Sequence, residues 1–215
     1  MAIRALFGVL TAFMVGVAAA QNAPVAGIDY QEIKSAPNAN AQGTIEVVEY
    51  FWYRCPHCYA LEPLLEPWAS RLPEGARFRR VPAVLGKEWT LDARIFYALE
   101  EIGELDRLHR PLLDAIHQNG GRRLDGEAYA RWVCDWLRTR GVDAQRYKAA
   151  FESAAVHEKA RRAADLSRAL KLEGTPTFMV AGRYLVSPPL GERRRILEIT
   201  DYLVSRVQTD KLARR

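Results

Sequence analysis

Apolar positions fall in two periods along this chain. Thr44-Ile45-Glu46-Val47-Val48-Glu49-Tyr50-Phe51 is β-branched and aromatic, with apolar residues on both faces, which predicts a buried interior strand. It runs through Trp52-Tyr53-Arg54 into Cys55-Pro56-His57-Cys58. From Cys58 to about Leu72 the pattern turns helical, with Pro63 and Pro67 marking a kink or a break. Arg77 to Leu85 reads as a second strand. Between about Glu88 and Leu172 the period is helical throughout. Leu91, Ile95, Ala98, Leu99 and Ile102 form a stripe behind Thr90, a candidate cap. Leu105, Leu108, Leu112 and Ile116 form another, ending at Asn119-Gly120-Gly121. Tyr129, Trp132, Val133 and Trp136 form a third, ending near Gly141. Asp143 is placed to cap a fourth helix around Tyr147 and Phe151, and a fifth runs from about Ala154 to Lys171. Strand signals return at Thr177-Phe178-Met179-Val180. A turn at Ala181-Gly182-Arg183 leads into Tyr184-Leu185-Val186, which predicts a hairpin. Ile196, Ile199, Leu203 and Val207 give a last helix over about Leu190 to Thr209.

The resulting order is β-α-β, a helical insertion, then β-β-α. It predicts an α/β protein with a thioredoxin-like fold carrying an inserted helical domain at about 88–172. Tyr30-Gln31-Glu32-Ile33 is a candidate short edge strand in an otherwise extended lead-in over 21–43.

Composition changes little. The 215 residues are 49% hydrophobic and 27% charged, enough for one domain with an elaboration and an ordinary core. The net charge of +5 is spread along the chain, without a basic run interleaved with aromatics, so no nucleic-acid partner is expected. Arg193-Arg194-Arg195 and Arg214-Arg215 read as solvated helix face and tail. The N-terminus changes more. Arg4 precedes the uncharged stretch Ala5–Ala20, which ends in three alanines: the pattern of a signal peptide cleaved after Ala20, too short for a comfortable membrane span. The mature chain, 21–215, is then exported, to a compartment where disulfides persist.

Three cysteines, Cys55, Cys58 and Cys134, make no disulfide scaffold. A structural bridge between Cys55 and Cys58 would close a four-residue loop and constrain the unfolded chain by only about 2 kcal/mol. Half a zinc site would need a second close pair of ligands, which His109, His117, His157 and Cys134 do not supply. Redox chemistry remains. A Cys at a helix N-terminus faces unpaired N–H groups and the positive end of the helix dipole, which favour thiolate. Cys55 is therefore expected as the exposed reactive sulfur and Cys58 as its buried partner, with His57 stabilising the thiolate. A stable thiolate leaves readily from a mixed disulfide and makes the disulfide a stronger oxidant. Glu49 has two readings: a buried acid, its pKa raised, passing protons to or from Cys58, or a carboxylate paired with Arg79 or Arg80. Pro176 in Gly174-Thr175-Pro176-Thr177 is either an ordinary strand-opening proline or a cis proline that sets the Thr175 backbone beside the sulfurs. Cys134 reads as a half-buried inert thiol or as a regulatory one. His109, His117 and His157 receive no role.

Glu49, Phe51-Trp52-Tyr53-Arg54-Cys55-Pro56-His57-Cys58, the helical insertion and Gly174-Thr175-Pro176-Thr177 together resemble a periplasmic DsbA-type thiol:disulfide oxidoreductase. The resemblance implies a redox disulfide between Cys55 and Cys58, with Pro56 and His57 inside the motif. It also implies a cis Pro176, a substrate-binding edge at Thr175 and Pro176, and Glu49 as the buried acid. It implies oxidation of reduced or unfolded exported proteins in the periplasm and reoxidation by a DsbB-type quinone-linked membrane oxidase, with neither metal nor bound cofactor. A monomer is expected. Thr175 departs from the Val of the best-known members. A disulfide isomerase or reductase, and an exported peptide-binding chaperone with an idle CxxC, are the competing readings.

Overall fold

Seven residues, Ile45–Phe51, form the strand β2, and all but Glu46 are buried. Their neighbours explain why. In the computed structural model, which describes residues 23–33, 44–187 and 192–213, β2 lies inside a five-stranded sheet. Its companions are β1 (Gln31–Glu32), β3 (Ala76–Pro82), β4 (Thr177–Val180) and β5 (Tyr184–Val186), in the order β1-β5-β4-β2-β3. β2 pairs parallel with β3 and antiparallel with β4. β4 and β5 make the expected hairpin, with Ala181 and Gly182 at positive φ in its turn. The short edge strand β1 completes the sheet against β5.

Alternation along β2 sends its side chains to opposite faces. Ile45 and Val47 pack with Leu61, Leu65 and Trp68 of α1 (Pro56–Ala69) and with Ile196, Ile199 and Leu203 of α7 (Arg193–Leu212). Val48 and Tyr50 pack with Ala93 of α2 (Trp89–Glu101) and with Ala160 and Ala163 of α6 (Ala154–Ala169). Between α2 and α6 come α3 (Leu105–Gln118), a 3-10 turn (Gly121–Arg123), α4 (Gly126–Thr139) and α5 (Ala144–Phe151). A third apolar cluster joins this helical block to the end of β2, and both Cys55 and Cys58 lie within it.

Several local expectations are revised. α1 runs through Pro63 and Pro67 without a break. Both prolines are on the exposed face, where the carbonyls they leave unpaired meet water, while Leu61, Leu65 and Trp68 hold the helix by burial. Thr90 is not a cap: α2 starts behind Glu88, without a side-chain cap bond. Asp143 does cap α5, accepting from the Arg146 N–H at 2.7 Å. Arg195 is no solvated side chain, for it binds Asp29 at 3.1 Å in the N-terminal segment. The expected signal peptide, most of the lead-in over 21–43, and Leu190 lie outside the described residues.

Candidate active site

β2 delivers the chain to the sheet edge, and a turn with the Cys55 N–H donating to the Trp52 carbonyl (3.0 Å) starts α1. Cys55 is the helix N-cap, in extended conformation, with Pro56 next at the first helical position. Its Sγ accepts the Cys58 backbone N–H at 3.4 Å and donates to the Thr175 carbonyl at 3.3 Å. The Thr175–Pro176 peptide is cis. Two stretches of sequence 120 positions apart therefore meet at one sulfur.

The two thiols are driven apart. Hydrogen bonding from the Cys58 thiol, with help from Thr175 and the backbone N–H groups of Cys58 and His57, overcomes burial and brings Cys55 from an ordinary 9.0 to about 6. Cys58 goes the other way, well above its ordinary value. Burial is the main cause, followed by its hydrogen bond to Cys55 and the charges of Cys55 and Glu49. Cys55 is less open than expected: it is 5% exposed, against 2% for Cys58. His57 is half-buried.

Glu49 is both buried and set beside an arginine. It lies opposite Arg80 in the β2–β3 register, with Oε2 3.3 Å from Arg80 Nε. Arg79, one position along, turns instead to Glu46. Pairing does not set the proton affinity of Glu49, however. It is 1% exposed, and its desolvation outweighs the Arg80 charge, so its pKa rises to about 8. Arg80 also holds Glu62 of α1, itself buried and pushed upward by burial. Two buried carboxylates thus share one guanidinium beneath Cys58, and a proton on one of them balances the charge.

A second buried cluster grips the loop on the other side. Arg54 Nε binds Asp92 Oδ2 at 3.0 Å. Asp92 also accepts from Trp52 Nε1 (2.7 Å) and the Tyr129 hydroxyl (2.8 Å). The Arg54 guanidinium sits between the Trp52 and Tyr129 rings and donates to the Leu124 and Glu88 carbonyls. Trp52 stacks on Trp89 at 4.1 Å. Buried His109 contacts the Tyr53 hydroxyl at 3.2 Å, and burial keeps it neutral.

Residues 46–190 match the family described as the DSBA-like thioredoxin domain. The chain is 34% identical over 196 residues to the thiol:disulfide interchange protein DsbA of Pseudomonas aeruginosa, with 91% of each covered. It belongs to the DsbA family. The DsbA of Azotobacter vinelandii is 35% identical over 179 residues, covering 83% of this chain and 82% of its own. Solved structures agree. Pseudomonas aeruginosa DsbA superposes with a TM-score of 0.78 at 32% identity, covering 87% of this chain and 96% of that one. DsbA from Xylella fastidiosa gives 0.76 at 34%, covering 86% and 98%. The DsbA fold and the CxxC pair make this chain a thiol:disulfide oxidoreductase.

Within this DsbA fold, the structure brings Cys55, Cys58, Pro56, His57, Glu49, Thr175 and Pro176 to one end of β2. Sequence reasoning offered Arg80 as a partner of Glu49 but missed Arg54, Asp92 and Glu62. Asp92 and Glu62 carried a signal. Each is a carboxylate on the apolar stripe of its helix, Glu62 one turn beyond Cys58, and a charge there needs a buried partner. Cys134 is half-buried against the helical cluster and a free thiol, as are Cys55 and Cys58.

Proposed function

We propose that the chain is an exported dithiol oxidase of the periplasm, with residues 1–20 as its signal peptide and 21–215 as the mature protein. The helical stretch at about 88–172 is the inserted domain that walls the site. A client thiolate attacks Cys55 Sγ of the Cys55–Cys58 disulfide. The S–S bond breaks, a mixed disulfide forms on Cys55, and Cys58 leaves with the electron pair. Glu49, neutral below about pH 8, is the proton source for that buried sulfur. A second client thiolate then attacks the client sulfur of the mixed disulfide, and Cys55 departs as a stabilised thiolate. The client is oxidised by two electrons, and Cys55 and Cys58 are reduced. Pro56 starts the helix, His57 stabilises the Cys55 thiolate, and Thr175 and Pro176 form the edge against which an extended client lies. A DsbB-type quinone-linked membrane oxidase is the electron acceptor, and the enzyme works as a monomer without metal or cofactor. Among the described residues no helix is long and apolar enough to cross a membrane.

The observation that carries this reading is the placement of two thiols one helical turn apart, Cys55 at the N-cap of α1 against the cis Thr175–Pro176 peptide and Cys58 buried behind it, which favours the thiolate on Cys55 and disfavours it on Cys58. The test uses a peptide with two reduced cysteines and a stoichiometric amount of disulfide-form enzyme. The parent is expected to oxidise the peptide, and Cys55→Ser and Cys58→Ser, each lacking the disulfide, to leave it reduced. Given the peptide in its disulfide form instead, the Cys55 thiolate of Cys58→Ser should attack it, release a peptide thiolate and hold the other peptide sulfur in a mixed disulfide. A parent enzyme that leaves the peptide reduced, or an adduct formed on Cys58, contradicts the proposal.

A further inference from the structure

A cavity of about 620 Å³ opens beside the start of α1, lined by His117, Gln118, Asn119, Gly120, Arg122 and Arg123. It is tied to the active-site loop from two directions. On one wall, His117 Nε2 donates to the Tyr53 carbonyl at 2.9 Å. The same imidazole stacks flat on Tyr59, the residue after Cys58, with centroids 4.4 Å apart. Behind the cavity, Arg54, the residue before Cys55, donates to the carbonyl of Leu124, which closes the 3-10 turn carrying Arg122 and Arg123.

That turn is held to one shape. Gly120 has φ +85, a conformation that favours glycine. Gly121 is pressed so closely on Trp132 that an added Cβ would lie 2.6 Å from the ring. The guanidinium groups are thus presented from a fixed backbone. Among the described residues neither Arg122 nor Arg123 has a carboxylate partner, and no acidic side chain lines the cavity. Asp114, on the preceding helix, is engaged by Arg110. The site is rich in donors, cationic and without a counter-charge.

We propose that this cavity is a carboxylate-binding subsite that selects clients bearing an acidic side chain close to the reacting cysteine. Two planar guanidinium forks match a carboxylate bidentately. His117 in its wall touches Tyr53 and Tyr59, which flank the CxxC pair, and the subsite is assigned to a residue flanking the client cysteine joined to Cys55. The proposal rests on the oxidase reading and adds a preference to it.

The test compares reduced two-cysteine peptides that differ only in whether the residues near the reacting cysteine are Glu or Gln. The parent enzyme is expected to oxidise the Glu peptide with a kcat/KM about fivefold higher at low ionic strength. That preference should shrink as salt is added. Arg122→Gln with Arg123→Gln should bring the ratio of the two peptides close to one. Arg122→Glu with Arg123→Glu should turn the preference toward a Lys-bearing peptide. Equal rates for both peptides with the parent enzyme, or an undiminished preference in the double Gln variant, would overturn the subsite. Failure of the parent to oxidise either peptide would instead contradict the oxidase reading.

Discussion

Cys55 and Cys58 carry the same functional group and differ only in what surrounds it. Cys55 collects hydrogen bonds that favour its anion. Cys58 sits deeper, where burial and the charges of Cys55 and Glu49 disfavour a second anion. At 1.36 kcal/mol per pH unit, a thiol near 6 instead of 9.0 has its thiolate favoured by about 4 kcal/mol. Only the part between 6 and 7 acts at neutral pH, about 1.4 kcal/mol, or about 30 mV toward a more oxidising couple. Thr175 contributes through its side chain, so Thr175→Val should raise the Cys55 pKa. Loss of one such bond, about 1 kcal/mol, should cut the thiolate fraction below the pKa about fivefold and make the disulfide a weaker oxidant. Thiolate absorbance against pH checks the first effect, and equilibration with glutathione the second. An unchanged titration would remove Thr175 from the thiolate's environment.

Two helices fix the active-site turn, α1 by starting at it and α2 by clasping it. The start of α1 was legible because everything needed is local: an interior strand, a Cys-Pro pair and a helical period. The clasp was not. Arg54 and Asp92 are 38 positions apart, and only the packing of α2 against the loop explains a buried charge on either. The same is true of Thr175, whose carbonyl reaches Cys55 across 120 positions. The prolines in α1 misled in the other direction, because local rules count lost hydrogen bonds but not the burial of Leu61, Leu65 and Trp68. Asp92 accepts three buried bonds, and removing it leaves Arg54 without its counter-ion in a dry site. Asp92→Ala should therefore cost about 3–5 kcal/mol of stability. Urea unfolding of parent and variant measures this, and a difference near zero would show that the clasp does not hold the loop.

Across the whole molecule, the strand and helix order predicted the α/β class, because alternating apolar periods survive in sequence. The order of strands in the sheet and the walls around the sulfurs depend on which faces meet, and no single segment encodes that. The helical block both completes the core around Cys55 and carries the cationic cavity beside it. The coupling of redox state to pH also belongs to this scale. With Cys55 lowered to about 6 in the folded protein, its stabilisation of the reduced form is fully present above the ordinary 9.0 and is lost as pH falls through about 6. The unfolding free energy of the reduced form should therefore gain on that of the disulfide form as pH rises between those values, which urea unfolding of both forms measures.

The most direct test of this account is the rate of Cys55 alkylation in the reduced protein as a function of pH. The account predicts a midpoint near 6 for Cys55, with Cys58 unreactive across the neutral range. A midpoint near the ordinary 9.0, or alkylation of Cys58 in preference to Cys55, would contradict it.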